Sequence, residues 1–415
     1  MKRVQLEIAE RVLPSGLTLI AVRNHGVSTF AAAAVLRVSQ TDESEGEHGV
    51  AHLTGQCLDE GTKRRSAIEF DDAVEAIGGR IDTTSAGGII QCPAQEAPKA
   101  VRLLREMVLE PAFPQREVRR VQQETLADIE SEAADPYSVA RWRFRAEVYG
   151  PHPFARPPWG SRESTARLRA TDLRRWHRTR FVPDGGYVAV AGPAEVEESL
   201  DLCAKVFRSF RAPTPERPTW PDPPLPAQRR DLHVPMPREQ IHVFVGHAGV
   251  RRTHPDFVAL QVLDHVLGSG PGFTSRIAKR LRDEEGLCYS VHAGITGTAG
   301  VQPGVFQAYI GTSPEHRQRA VDGFLEEMQR LRDEPPAGTE VEDVEAYLTG
   351  SFVLGLERNT NLVDYAIRTR RFGLGYDWVH RYPELVRAVT PEEVQRVACA
   401  HLWPDRTVVV SAGAG

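Results

Sequence analysis

Gly49-Val50-Ala51-His52-Leu53-Thr54-Gly55-Gln56-Cys57-Leu58 is the stretch on which the interpretation of the whole chain depends. Its pattern predicts one helix, and residues four positions apart, such as His52 and Gln56, lie on the same helical face. Two histidines at that spacing, with a glutamate before the second, would provide two zinc ligands and a general base. This chain has Gly55 at the base position and Gln56 at the second ligand position. The stretch therefore resembles a metal-site helix that has lost its metal chemistry.

The composition is that of a globular protein of two to three domains, since 415 residues are too many for one ordinary core. Hydrophobic residues make up 41%, charged residues 26%, and the formal net charge is −5. A basic run typical of nucleic-acid binding is absent from the sequence. The amino terminus predicts neither a signal peptide nor a membrane span. Five scattered cysteines favour free thiols in a reducing compartment, so we expect a cytoplasmic protein.

A change in composition predicts the domain boundary. Seven prolines lie between Pro213 and Pro226, which is typical of a stiff, extended linker. We therefore predict an amino-terminal domain over 1–211, a linker over 212–230 and a carboxy-terminal domain over 231–415. Each half reads as strand, helix, strands and helices in that order. This repetition predicts an α+β fold of two homologous α/β-sandwich domains that arose by internal duplication.

The helix predicted from about Gln115 to Ser131 carries two carboxylates on one stripe. Glu117, Val121 and Glu124 fall at i, i+4 and i+7. Spacing alone leaves two interpretations open. The stripe is either a solvated face crossed by one valine, or it supplies an inward metal ligand with an accompanying carboxylate.

The segment Leu281-Arg282-Asp283-Glu284-Glu285-Gly286-Leu287-Cys288-Tyr289-Ser290-Val291 is the second one that suggests chemistry. Gly286 is suited to end the helix in a left-handed conformation. A strand predicted over 287–291 would place Leu287, Tyr289 and Val291 on one face. A guanidinium at Arg282 and a phenol at Tyr289 are groups that stabilise a developing oxyanion. A surface arginine and a core tyrosine would give the same spacing.

The loop Gly268-Ser269-Gly270-Pro271-Gly272 also has two interpretations. Its glycines, Gly270 and Gly272 in particular, expose backbone N–H groups that are suited to bind a peptide. A flexible connection between two helices would have the same composition.

An alternative metal site shifts the ligand pair by one turn. His48 and His52 are also four residues apart, and with Glu124 they would form a His-His-Glu set. This arrangement requires the helix to extend back through Gly49. It also lacks a glutamate between the two histidines, so a general base would still be missing.

Over nearly its whole length the chain resembles the insulinase/pitrilysin family of zinc peptidases, the inverzincins, and within it the short bacterial subunits similar to mitochondrial processing peptidase. Residues 49–62 match the family's metal helix, and Glu124 matches its third zinc ligand. Gly78-Gly79-Arg80-Ile81-Asp82-Thr83 resembles a segment near the substrate strand, with Asp82 and Thr83 in place of the usual Asn-Ala. The resemblance implies that Arg282 and Tyr289 contact substrate and stabilise the tetrahedral intermediate.

The resemblance also implies half of a clamshell. In this family the zinc lies in one half of the chamber, and the arginine and tyrosine come from the other half. We therefore expect a substrate-positioning subunit of a heterodimeric metallopeptidase that binds no zinc itself, with His52, Gln56 and Glu124 as vestigial positions. A partner with an intact His-x-x-Glu-His motif would hold the zinc, and the chain alone would be inactive. The alternatives are a catalytically inert structural or binding protein, like the core subunits of respiratory complexes, and a self-sufficient zinc peptidase, which Gly55 and Gln56 disfavour. An isolated chain that paired with itself would form a homodimer without a complete site.

Overall fold

The computed structural model describes residues 6–270 and 274–414. The strands are β1 (Glu7–Val12), β2 (Thr18–Arg23), β3 (Thr29–Val35), β4 (Arg80–Thr84), β5 (Gly87–Pro93), β6 (Tyr187–Gly192), β7 (Arg230–Pro235), β8 (Ile241–Ala248), β9 (Val291–Gly294), β10 (Val305–Thr312) and β11 (Val408–Gly413). The helices are α1 (Val50–Gln56), α2 (Ala67–Glu75), α3 (Ala97–Leu109), α4 (Gln115–Ala133), α5 (Pro136–Tyr149), α6 (Arg162–Arg167), α7 (Ala170–Arg180), α8 (Val196–Phe207), α9 (Phe257–Asp264), α10 (Arg317–Asp333), α11 (Gly338–Leu354), α12 (Asn359–Arg371), α13 (Trp378–Arg387) and α14 (Pro391–His401). Two π-helical segments, His265–Ser269 and Ala278–Glu284, lie in the second half.

The two sheets have the same topology, apart from one extra strand in the first. The first sheet has the order β1-β2-β6-β3-β5-β4, and the second has the order β7-β11-β8-β10-β9. In each sheet one neighbouring pair is parallel, β2 with β6 and β7 with β11, and the strands that follow are antiparallel. The order of the second sheet thus repeats that of the first from β2 onward. The predicted α+β fold with internal duplication is confirmed.

The core of the first unit lies between its sheet and the helices packed on it. α3 packs on β3 and β5, and α8 packs on β1 and β2. The inward residues of β2 and β3 contribute to this core, and alternate residues of the same strands are also buried. α12 packs on β2, β3 and β6, so both faces of these central strands are covered. This double coverage explains why β2 is buried along most of its length rather than at every second residue.

The compact units do not follow the chain in two continuous pieces. One unit comprises 1–130, 157–219 and 353–376, and the other comprises 131–156, 220–352 and 377–415. α5 belongs to the second unit because its buried Ala140, Phe144 and Val148 pack with residues of β8, β10 and β11. The predicted range 1–211 contains the first sheet, and 231–415 contains the second apart from Arg230, the first residue of β7. Both ranges assign α5 and α12 differently from the compact units.

Local signals account for where several helices begin. Ser66 and Glu69 form a capping box at the start of α2, in which the Ser66 hydroxyl accepts from the Glu69 N–H and the Glu69 carboxylate accepts from the Ser66 N–H. Pro98 lies in the first turn of α3, where its missing N–H has no cost. The Asp135 carboxylate caps α5 by accepting from Ser138 N–H at 3.0 Å. Among the described residues we find no helix long and apolar enough to span a bilayer.

Candidate functional site

The helix that carries His52 is short. α1 begins at Val50 because Gly49, at φ 95°, has a left-handed conformation that glycine adopts without strain. His48 therefore precedes the helix and does not share a helical face with His52. The alternative site of His48, His52 and Glu124 requires a helix that runs back through Gly49, and α1 does not extend that far.

His52 is a half-buried histidine in a mixed environment. Its ring meets the Trp159 ring edge-on, with 6.1 Å between centroids. Burial lowers the pKa of His52, and the Asp128 carboxylate opposes that shift in part. Gln56, at the second ligand position one turn further on, is exposed. The face that would hold two zinc ligands thus offers one imidazole, which is neutral at neutral pH, and one solvent-facing amide.

Gly55 lies against the turn between β4 and β5, and the backbone there leaves no room for a side chain. A Cβ built at Gly55 would lie 2.6 Å from the Thr84 carbonyl oxygen and 2.6 Å from the Ser85 nitrogen. Both obstacles are backbone atoms, which cannot rotate away as a side chain would. A glutamate in the general-base position would require the turn to move. The chain has therefore lost the base and also the space for it.

Arg120 neutralises the carboxylates of α4. Its guanidinium forms ion pairs with Glu117 at 3.1 Å, with Glu124 at 2.8 Å, and with Glu60 at the end of the segment after α1. Glu124 itself is 59% exposed. Hydrogen bonds to these carboxylates raise the pKa of Arg120, which keeps the guanidinium charged. The negative charge of Glu124 is thus already compensated by the Arg120 guanidinium rather than by a metal ion.

This donor set does not fit a catalytic zinc. Such a zinc takes three protein ligands and a water, with a base nearby to use that water. The chain offers His52, an exposed Gln56 and a Glu124 that is already paired with Arg120. Of the two interpretations of the Glu117–Glu124 stripe, the structure favours a partly solvated face, because Val121 is buried while Glu124 faces solvent. Arg120 was missed in the sequence, although its spacing of i+3 from Glu117 and i−4 from Glu124 is a standard signal for helical ion pairs.

Arg282 and Tyr289 lie next to each other. The Arg282 guanidinium carbon is 5.5 Å from the centroid of the Tyr289 ring, within the range of a cation–π contact. Arg282 is half-buried on the segment Ala278–Glu284, whose winding is π-helical rather than α-helical. Gly286 follows at φ 65° and reverses the chain, which confirms its predicted role at the helix end. Tyr289 is 83% exposed, which is unusual for an aromatic side chain.

The predicted strand over 287–291 is wrong. β9 begins only at Val291, because the backbone of Leu287 is already engaged elsewhere. The Leu287 N–H donates to the Leu281 carbonyl at 2.8 Å, and the Leu287 carbonyl accepts from the Thr312 hydroxyl at 2.7 Å. Leu287 and Val291 are buried, whereas Tyr289 is not. Tyr289 therefore lies on an exposed connection before β9, not on one face of a strand with the two aliphatic residues.

The glycine-rich loop is only partly described. Gly272 lies outside the described residues, and Gly270 is half-buried in an extended conformation at φ −63° and ψ 149°. The preceding Gly268 lies so close to β9 that a Cβ would come 2.4 Å from the Ala293 nitrogen. Ser269 donates its hydroxyl to the Ala293 carbonyl at 2.7 Å. The start of the loop is thus fixed against β9, which explains Gly268 by packing; neither interpretation of Gly270 and Gly272 is tested by these contacts.

β4 is an edge strand of the first sheet, and it carries the segment with Asp82 and Thr83. A groove of about 770 Å³ runs along this end of the sheet. Its lining includes Asp82, Gln91 and Asn359. Asn359 is held in place because its side-chain amide donates to the Thr29 carbonyl at 2.7 Å. A sheet edge beside a polar groove is a surface on which an extended peptide can add as a further strand.

Comparison with known proteins identifies both halves of the chain. Residues 19–157 match the family model described as insulinase (peptidase family M16), and residues 167–348 match that of the peptidase M16 inactive domain. An uncharacterized zinc protease of Streptomyces coelicolor is 26% identical over 407 residues, covering 94% of this chain and 86% of that protein. A non-peptidase homologue of Helicobacter pylori is 22% identical, covering 94% of this chain and 87% of that protein.

Solved structures show the same fold. A crystal structure titled as a peptidase M16 inactive domain from Pseudomonas fluorescens superposes with a TM-score of 0.92 at 21% identity, covering 99% of each chain. A structure titled as a protease from Helicobacter pylori superposes with a TM-score of 0.88 at 19% identity, covering 98% of this chain and 100% of that one. At these identities the likeness shows the fold alone. With both family models, matching relatives and the shared two-sheet fold, the chain belongs to peptidase family M16, the insulinase family.

Proposed function

We propose that this chain is the zinc-less subunit of a two-chain M16 peptidase, in which Arg282 and Tyr289 bind the peptide and stabilise the tetrahedral intermediate. The partner would be an M16 chain with an intact His-x-x-Glu-His motif and its downstream glutamate. One contrast carries the proposal: the backbone at Thr84 and Ser85 occupies the space of a general base beside Gly55, while Tyr289 remains exposed.

The loss of hydrolysis by the chain alone is supported by three independent features of the His52 region. Gly55 supplies no base, Gln56 is a neutral amide facing solvent, and Glu124 is paired with Arg120. Restoring any one of these residues would leave the other two defects in place. Hydrolysis of a peptide bond at neutral pH needs the ligand set and the base together.

The assigned role of Arg282 and Tyr289 is supported by their geometry and by their exposure. A guanidinium carries a permanent positive charge, and a phenol donates one hydrogen bond; both stabilise the negative charge that develops on a carbonyl oxygen. Their contact at 5.5 Å places the two groups side by side. An exposed tyrosine has no value for the core, since it hides little apolar area from water. A substrate-contacting role gives a reason for a tyrosine at this position.

The substrate class follows from the way in which a sheet edge binds a chain. An extended peptide adds as a strand through its backbone N–H and C=O groups, which a folded protein keeps engaged in its own structure. The edge strand β4, beside its polar groove, is the surface we assign to this contact. The proposed substrates are therefore unfolded or short peptides.

A catalytically inert member of the family that serves as a structural or binding subunit is the second candidate. The family model described as the M16 inactive domain, which matches residues 167–348, is the observation that favours it. In such a protein Arg282 and Tyr289 would be surface residues without a partner's zinc to face. The two candidates differ in whether substitutions at these two positions change the rate of peptide cleavage by a complex.

The test is co-expression with an M16 chain from the same genome that has an intact His-x-x-Glu-His motif. Cleavage of an unstructured fluorogenic peptide is measured for each chain alone and for the pair. We expect no cleavage by this chain and cleavage by the pair. Arg282→Ala or Tyr289→Phe in this chain should lower kcat/KM of the pair by about 100-fold or more, the usual loss when one oxyanion donor is removed.

Two exposed residues of the same types of charge and side chain provide matched controls. Lys279→Ala removes an exposed cation from the same π-helical segment, and Tyr347→Phe removes the hydroxyl of another exposed tyrosine. Both should leave cleavage by the pair unchanged. A pair that cleaves normally with Arg282→Ala and Tyr289→Phe combined would overturn the assigned role. Peptide cleavage by this chain alone, abolished by His52→Ala, would overturn the zinc-less assignment.

A further inference from the structure

Two histidines and an aspartate meet in the second unit. His254 lies in the turn before α9, Asp256 is the residue that immediately precedes α9, and His401 is the last residue of α14. They are separated by up to 147 positions in the chain but share one place in the fold. Among the residues that the structure describes, they form the single group of three metal-ligating side chains whose ligand atoms lie within 4.8 Å of one another.

The two imidazoles approach the same carboxylate oxygen of Asp256. His401 Nε2 is 2.7 Å from Asp256 Oδ2, and His254 Nδ1 is 3.9 Å from the same oxygen. The two imidazole rings are nearly perpendicular, with 4.9 Å between centroids. The Asp256 N–H donates to His254 Nδ1 at 3.2 Å, which holds the imidazole beside the carboxylate.

We propose that His254, Asp256 and His401 form a binding site for a borderline divalent transition-metal ion, with Zn²⁺ as the representative. Two imidazoles and a carboxylate are a ligand set typical of Zn²⁺, Fe²⁺, Co²⁺ or Ni²⁺, and three protein ligands leave positions for water. The hard ions Mg²⁺ and Ca²⁺ prefer oxygen ligands and are poorly matched to two nitrogens. All three side chains are partly exposed, so an ion can enter from solvent.

The proposed ion would join the start of α9 to the end of α14. Ligand atoms around a zinc at about 2.1 Å lie roughly 3.4 Å from one another. His254 would therefore move slightly toward Asp256 Oδ2, now 3.9 Å away, and His401 Nε2 would move slightly away from it, from 2.7 Å. The side chains have space for that movement, since His254 retains 35% exposure. The dipole at the last turn of α14 favours a cation, whereas the dipole at the start of α9 disfavours one, so the two effects offset each other. The site is thus a structural clip, independent of the proposed role of Arg282 and Tyr289.

Arg396 sets the affinity of this site. It donates to Asp256 Oδ1 at 2.6 Å, which orients the carboxylate and leaves Oδ2 for the ion. Its positive charge nevertheless opposes a second cation nearby. Arg396→Gln should therefore tighten metal binding, whereas loss of any of the three ligands should weaken it. If the cluster is only a network of ion pairs, neither the wild type nor Arg396→Gln should show saturable metal binding.

The experiment is calorimetric titration of the chelator-treated full chain with Zn²⁺, repeated with Co²⁺ to read the ligand field from its visible spectrum. We expect one site, with affinity lowered about 100-fold in His254→Ala and in His401→Ala. His254→Ala changes a turn residue, so it tests the site even if His401→Ala fails to fold. Zn²⁺ should also raise the melting temperature of the wild type but not of His254→Ala.

Two controls separate this proposal from the proposed function. His25→Ala removes an exposed histidine between β2 and β3, and His52→Ala removes the vestigial ligand. Neither should change the Zn²⁺ affinity. Absence of saturable Zn²⁺ binding, or binding that persists in His254→Ala and His401→Ala, overturns the proposed site. If Zn²⁺ binding disappears in His52→Ala instead, the zinc-less assignment of the His52 region is overturned as well. If Arg282→Ala has no effect on peptide cleavage by the pair, the proposed function fails, but the proposed metal site does not.

Discussion

The His52 helix and the segment 282–289 are the two parts of this chain that resemble catalytic machinery, and they have been preserved in opposite ways. At α1 the helix is kept, but a backbone turn presses on Gly55 and Arg120 neutralises Glu124. In the segment 282–289 the local structure is irregular, with π-helical winding and a late start to β9, yet Tyr289 is exposed beside Arg282. A region can thus retain its fold position without its chemistry, and another can retain its chemical groups on irregular backbone.

Substitution of Gly55 is the strongest way to test whether the first region is closed. Gly55→Ala should lower the free energy of unfolding by about 3 kcal/mol, since the Cβ would lie 2.6 Å from backbone atoms of Thr84 and Ser85. The gain in helix propensity, about 1 kcal/mol for alanine over glycine, is smaller than that steric cost. Urea unfolding measures the difference.

A helical glycine with open surroundings provides the matched control. Gly350 in α11 has no atom within 4 Å of a built Cβ, so Gly350→Ala should stabilise by up to about 1 kcal/mol. Equal effects at the two positions would contradict the packed interpretation of Gly55. The double substitution Gly55→Glu and Gln56→His should likewise yield no peptidase activity, and recovery of cleavage would show that the turn moves aside easily.

The buried carboxylate of Asp264 holds the chain directly after β9, and its titration gives a pH test. Asp264 accepts from the Ile295 N–H at 2.7 Å and the Thr296 N–H at 2.9 Å, and burial raises its pKa from 3.8 to about 6. The folded state therefore binds a proton more tightly than the unfolded state does. The stabilisation from this proton is complete below pH 3.8 and is lost as the pH rises through 6.

Asp264→Asn should remove that pH dependence. Between pH 4.5 and 7 the wild type should lose roughly 2 kcal/mol of unfolding free energy more than the variant loses. Loss of one acceptor oxygen lowers the stability of the variant by an amount that does not depend on pH, because an amide offers one acceptor oxygen where the carboxylate offers two. Asp405→Asn, at an exposed position, is the control for loss of one negative charge. Parallel pH curves for wild type and Asp264→Asn would contradict the raised pKa.

The sequence predicts local features of this molecule well and its long-range pairings poorly. α1 and the turn at Gly286 depend on neighbouring residues, and both were predicted. The start of β9 was missed because Thr312, 25 positions away, engages the Leu287 carbonyl. The assignment of α5 to the second sheet likewise depends on which distant surface covers its apolar face. The His254–His401 cluster has no local signal at all.

The charge network at Arg120 should have a moderate effect. Arg120→Ala removes three ion pairs, but its side chain is 46% exposed, so solvent screens them and we expect a loss of only about 1 kcal/mol. The loss should shrink in about 1 M salt, where the Debye length is close to 3 Å. Arg119→Ala, an exposed arginine on the same helix, should change stability less. A loss that does not depend on salt would mean that packing, not charge, explains Arg120.

Glu124→Gln should have the smallest effect. It discriminates between the two interpretations of α4, because a solvated face predicts almost no change and a metal ligand predicts a large one. A carboxylate that is 59% exposed and is one of three partners of Arg120 should cost at most about 0.5 kcal/mol when neutralised, because Glu60 and Glu117 remain. Peptide cleavage by the two-chain complex should not change. If Glu124 were a metal ligand, the same substitution would remove bound zinc and abolish cleavage. A near-neutral result in both urea unfolding and the cleavage assay would therefore exclude Glu124 as a metal ligand on which cleavage by the complex depends.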